Sequence, residues 1–203
     1  WFSETQHAAH HNKDTGGADS LKNRNTIILT VLSIIYGLAV YGFLGLYPTF
    51  LRETLHFTPA GAGGVMTFFG LGSLLSYFGG MLGDRLSPKL VIIGSSLTVV
   101  ALGFLLYLPD LSTVSREIIV CLYGILGGAI LYTNLAGAHI KSLRRSLSSR
   151  GSSMFVTTLY AGAAFGGFLM DDLVKEFRWQ RAGEIQISLL NLVGVFLAFG
   201  LRP

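Results

Sequence analysis

The chain has 203 residues, of which 51% are hydrophobic and 13% charged, and its mean hydropathy is +0.56. A single soluble domain of this size cannot hide so much apolar surface, so the composition excludes an ordinary globular protein and makes a bilayer the solvent. The formal net charge of +4 would suit nucleic acid in a soluble chain. Here the bases sit in polar turns beside apolar runs, so membrane topology explains them and no nucleic-acid partner is expected.

Residues 1–25 are polar, lack the arrangement of a signal peptide, and read as a cytoplasmic tail or central loop. His7, His10 and His11 have no acid or thiolate fixed beside them and read as a solvated loop; no metal site is expected. The chain starts on Trp1-Phe2 and not on Met, so an upstream part is expected. The single cysteine, Cys121, falls in an apolar run, where it makes no internal disulfide and offers no metal-ligand spacing. No cofactor is expected.

Six apolar runs follow, at 26–50, 62–82, 90–108, 118–138, 152–170 and 185–201. A helix rises ~1.5 Å per residue and needs ~20 residues to cross a ~30 Å bilayer core, so these read as transmembrane helices of an all-α membrane protein. Pro48 is expected to break the first near its end, and Arg52, Glu53 and His56 mark the turn after it. The turn GGMLGDRLSPK, Gly79 to Lys89, separates the second and third runs, with Ser87 placed to cap the next helix and Pro88 in its first position. Pro109, Asp110 and Ser112 mark a loop, and the connection from His139 to Arg150 carries bases without an acid. A mixed-charge turn with Asp171, Asp172, Lys175, Glu176, Arg178 and Arg181 precedes the last run.

One side collects Lys13, Lys22, Arg24, Arg85, Lys89, Lys141, Arg144, Arg145, Arg150 and Arg202; the other has Arg52, Arg116, Lys175, Arg178 and Arg181. The positive-inside rule then makes both ends of a multi-pass protein cytoplasmic, in a cytoplasmic membrane. Gly79 and Gly83, Gly124 and Gly128, and Gly162 and Gly166 repeat at four residues. That spacing puts small residues on one helix face and predicts close helix packing.

The central turn resembles the cytoplasmic turn of the major facilitator superfamily, Gly-x-Leu-x-Asp-Arg-x-Gly-Arg-Arg. Gly80, Leu82, Asp84, Arg85 and Lys89 match in register, while Ser87 and Pro88 depart from the pattern. Leu46 to Gly63 and Ser142 to Ser152 resemble an outer loop and the second cytoplasmic turn of such permeases. The resemblance implies the C-terminal six-helix half of a twelve-helix bundle, working by alternating access on a small organic solute. Proton coupling is the family's commoner pattern, although no acid lies deep in any run. The partners implied are that solute, the lipid bilayer, and a missing N-terminal half or a second copy of this chain.

Within that frame, Asp84 is expected to accept from Arg144, Arg145 or Arg150 and latch one conformation. Gly80 and Gly83 would allow close helix approach, and Arg85 and Lys89 would favour the anionic leaflet. The family's first, second, fourth and fifth helices approach the cavity, which makes Tyr36, Tyr47, Asn134, Thr157 and Tyr160 candidate lining groups. The competing readings are a non-transporting scaffold or sensor and an intramembrane protease, since Gly70, Gly72 and Ser73 resemble a Gly-x-Ser neighbourhood. No catalytic residue is assigned, because no histidine lies at Ser73's depth to activate it.

Overall fold

A computed structural model describes residues 17–202; His7, His10, His11 and the rest of the tail before Gly17 lie outside the described residues. Among those described there is no strand, only an isolated bridge between Ala18 and Leu143. The helices are α1 (Arg24–Glu53), α2 (Pro59–Ser73), α3 (Ser76–Arg85), α4 (Pro88–Leu106), α5 (Thr113–Tyr123), α6 (Tyr132–Lys141), α7 (Ser148–Gly183) and α8 (Leu190–Phe199). Two π-helical stretches interrupt the pattern, Gly124–Leu131 between α5 and α6 and Glu184–Leu189 before α8.

Five segments among the described residues are long and apolar enough to cross a membrane: Arg24–Glu53, Pro59–Arg85, Pro88–Leu106, Thr113–Lys141 and Arg145–Phe199. The last, of 55 residues, would be ~80 Å long if straight. It is not straight. Gln186 Nε2 donates to the Gly166 carbonyl at 2.7 Å, although twenty positions of straight helix would separate them by ~30 Å. The chain doubles back at Arg178, whose φ of 65° and ψ of 167° are non-helical.

Local chemistry explains several departures from the expected boundaries. Pro48 does not break α1, which continues to Glu53 with the proline inside it. The second run is interrupted instead, where Leu74 and Leu75 separate α2 from α3. Ser87 and Pro88 occupy the expected N-cap and first-turn positions of α4, but the Ser87 side chain makes no capping bond. The mixed-charge turn is helix as far as Arg178. Lys175 Nζ lies 2.5 Å from Asp171 and 3.5 Å from Asp172, and ion pairs three and four residues apart support a helix beyond its apolar stretch.

Glycine builds two tight seams. A Cβ on Gly162 would lie against the Ile34 backbone, and one on Gly37 against the Leu159 carbonyl, so α1 and α7 touch backbone to backbone. In the same way Gly72 and Gly79 face Cys121 and Ala129, while Gly124 faces Phe69. The second and fourth segments therefore pack closely, as the four-residue spacing predicts. Gly83 abuts Asn134, but beside Gly80 there is open space, so the close approach expected of Gly80 belongs to Gly79. In contrast, Gly167 meets nothing.

Candidate functional site

The expected cavity residues separate into two groups. Tyr36, Tyr47 and Asn134 are buried in the bundle. Tyr36 donates to the Gly127 carbonyl at 3.1 Å, an acceptor on the π-helical stretch of the fourth segment. Tyr47 donates to the Leu106 carbonyl at 3.0 Å. Asn134 spends its amide on the carbonyls of Gly79 and Ile130, at 2.9 and 2.8 Å. These are the internal partners a polar group in hydrocarbon requires. Thr157 and Tyr160 are exposed on α7. Tyr160 pairs with Tyr41 of α1, ring centroids 5.9 Å apart, so polar aromatic edges line the open side of the α1–α7 seam. Tyr41 points away from the Tyr36–Tyr47 stripe, and only helix packing shows where it goes.

The polar turn is held in a different pairing from the expected one. Asp84 takes Lys141 as its partner at 2.7 Å, with side chains 72% and 52% exposed, in place of Arg144, Arg145 or Arg150. Arg144 forms its ion pair with Asp19. The residues leading into α1 are anchored there too, since Ala18 N donates to Ser142 O and Arg144 N to Ala18 O. Arg145 and Arg150 are exposed, as is Arg85. Below the Asp84–Lys141 pair lies a cleft of about 110 Å³ with Asn134 and Thr133 in its wall.

Lys89 does more than meet a membrane surface. Its ammonium donates to the carbonyls of Phe199 and Leu201 at 2.8 and 2.7 Å, satisfying the free acceptors at the end of α8 and complementing its negative pole. Asn25 holds the same end through bonds with both backbone groups of Arg202. Lys89→Met is expected to cost about 1 kcal/mol of stability, the value of a charge at a helix end. Thermal unfolding with an Arg85→Met control, which should be near neutral, checks it.

Arg116 is the functional-looking residue that the sequence reading counted only as one of the bases on the less basic side. A charge beside a loop reads as solvated, yet Arg116 is 1% exposed. Its Nη1 donates to Tyr47 Oη and the Leu106 carbonyl, both at 3.3 Å, and its Nη2 to the carbonyls of Leu108 and Pro109 at 2.8 and 3.4 Å. The guanidinium carbon lies 5.6 Å from the Phe50 ring centroid, within cation–π range. One side chain thus joins α1, the end of α4 and the start of α5. The available signal was its spacing with Val120 and Tyr123, which share its buried helical face.

Ser73 has no catalytic arrangement. Its hydroxyl donates to the carbonyls of Phe69 and Gly124, whereas His139 bonds the Leu135 carbonyl and packs on Phe155. No group of His, Cys, Asp and Glu among the described residues could hold a metal ion.

No curated protein matches the sequence. The family profile described as Major Facilitator Superfamily matches residues 1–167. That match joins the all-helical bundle and its apolar segments, and the chain belongs to the major facilitator superfamily, a family made up in general of membrane transporters.

Proposed function

We propose that the chain forms one six-crossing half of a secondary transporter moving a small organic solute by alternating access. The observation that carries this is the reversal at Arg178 in a chain of this family. It divides the 55-residue segment into two limbs, each compatible with the ~20 residues a crossing needs. With six crossings both ends share a side, and the excess of bases at the Asp84 turn and the Ser142–Arg150 connection makes that side cytoplasmic, in the cytoplasmic membrane. The second half comes from the same polypeptide or from another copy. The open α1–α7 seam with Tyr41, Thr157 and Tyr160 faces it, with Tyr36 and Asn134 supporting the helices behind.

Transport is proton-coupled in this proposal, with the coupling acid on the other half. The Asp84–Lys141 pair is the latch that biases one conformation. Because it is exposed, it is worth about 0.5–1 kcal/mol, which shifts a two-state balance by about two- to fivefold. In proteoliposomes holding the full-length protein, a proton gradient should drive uptake of a labelled organic acid. Asp84→Asn should change that uptake by about two- to fivefold with normal insertion, and exchanging the charges, Asp84→Lys with Lys141→Asp, should restore it. An unchanged rate in Asp84→Asn removes the latch and leaves the transporter. A full-length protein that moves no solute across a panel favours a scaffold or sensor.

A further inference from the structure

His139 stands just past the apolar run 118–138, where the basic connection begins. Its side chain is 0% exposed, whereas His56, the other histidine among the described residues, is exposed. The Nδ1 of His139 lies 3.0 Å from the Leu135 carbonyl. A carbonyl only accepts, so Nδ1 carries the hydrogen and the neutral ring presents a bare lone pair at Nε2. That nitrogen is buried and meets no hydrogen-bond partner among the described residues.

The ring sits where α6 meets α7. It packs on Phe155, with ring centroids 5.6 Å apart, and the His139 carbonyl lies so near Gly151 that a Cβ there would come within 2.6 Å of it. A proton taken up in this packing would bury a second N–H and a full charge with no acceptor, which strongly disfavours it. The charged groups on the elements around the ring do not compensate. They are Lys141 on α6, Arg144 and Arg145 in the connection, Arg150 on α7 and Arg24 on α1, all of them bases. The acids at this end, Asp84 and Asp19, are held by Lys141 and Arg144.

We infer that His139 is a proton-binding site that pins α6 to α7 only while neutral, so that protonation at Nε2 and separation of the two helices at this end are one event. Acid thereby loosens the end of α6 that carries Lys141 and its pair with Asp84. Which compartment supplies the proton rests on the proposed topology; the coupling of protonation to separation does not. A solvated histidine takes up its proton near about pH 6.5. The separated form therefore binds a proton that the packed form excludes, and the packed form loses ground as the pH falls through that value.

Hydrogen exchange on the purified full-length protein, corrected for the intrinsic rate at each pH, tests this. From about pH 7.5 to about pH 5.5, the amides of residues 135–142 and 151–155 should lose about tenfold in protection, the ratio of protonated to neutral imidazole about one unit below its ordinary value. Residues 59–73 of α2 should keep theirs. His139→Gln retains a donor for the Leu135 carbonyl but cannot titrate, and should hold its protection within about twofold over the same range. His56→Gln should behave as wild type. Wild-type protection that does not change with pH overturns the site without any variant, and so does an equal loss in His139→Gln. A protein that transports nothing yet shows the tenfold loss overturns the transporter proposal and leaves the proton site standing.

Discussion

Arg116→Ala is expected to destabilise the folded chain by about 3 kcal/mol, with unfolding in detergent as the readout. The buried Leu106 carbonyl and the half-buried Leu108 carbonyl lose the guanidinium donor, and an acceptor left dry costs ~1–3 kcal/mol. The cation–π contact with Phe50 adds ~0.5–2 kcal/mol. Against this, removing a buried guanidinium recovers its desolvation cost. Two comparisons separate these terms. Arg116→Met fills the volume but supplies no donor, and should stay destabilised by about 2 kcal/mol. Arg116→Lys keeps the charge but cannot serve both carbonyl sets with one ammonium, and should fall between wild type and Ala. A stable Arg116→Met would mean that packing, and not the bonds to the end of α4, holds this corner.

The second large effect lies at the α1–α7 seam. Gly162→Ala is expected to cost about 2 kcal/mol, because the added Cβ meets the Ile34 backbone, which cannot rotate away as a side chain could. Gly162→Leu should prevent the two helices from assembling. The control is Gly167→Ala, on the same helix with nothing beside it, where the better helix former should be neutral or stabilising by up to ~1 kcal/mol. Equal losses at Gly162 and Gly167 would mean that glycine acts through helix flexibility and not through contact.

Much of this fold is legible from where charge interrupts apolar sequence. The Leu86–Ser87 break, the Pro109–Ser112 loop and the start of the basic connection at Ser142–Arg144 fall between helices, because a bilayer forces polar turns to its surfaces; Gly79–Arg85 of the expected turn are instead helical in α3, and Arg150 lies in α7. The glycine spacing likewise points to the two tight seams. The π-helical stretches were not visible, since a shift from one carbonyl acceptor to the next leaves no change in residue pattern. Yet Gly124–Leu131 supplies the acceptor for Tyr36. The extent of α7 was hidden because hydropathy reads Asp171, Asp172 and Lys175 as a loop, whereas their mutual pairing continues the helix.

The candidate site was less legible, for a related reason. Which base meets Asp84 depends on the rotation of α6 against α3, and the sequence offers four bases within ten residues of one another, from Lys141 to Arg150. Lys141 lies on the helix itself and reaches the carboxylate, while Arg144 is drawn to Asp19. Burial of Arg116 depends on the end of α4 presenting its carbonyls at that point, a tertiary fact that no local window contains.

The proposal of six crossings sets the sidedness of the latch, and cysteine accessibility tests it most directly. Single cysteines would be placed at Ser87, Ser149 and Gln180, all exposed, in full-length protein with its native cysteines, Cys121 included, replaced by serine. A membrane-impermeant maleimide added to intact cells should label Gln180→Cys and spare Ser87→Cys and Ser149→Cys until the membrane is opened. Labelling of Gln180→Cys from the same side as Ser149→Cys would contradict the reversal across the bilayer at Arg178, and with it the half-transporter architecture.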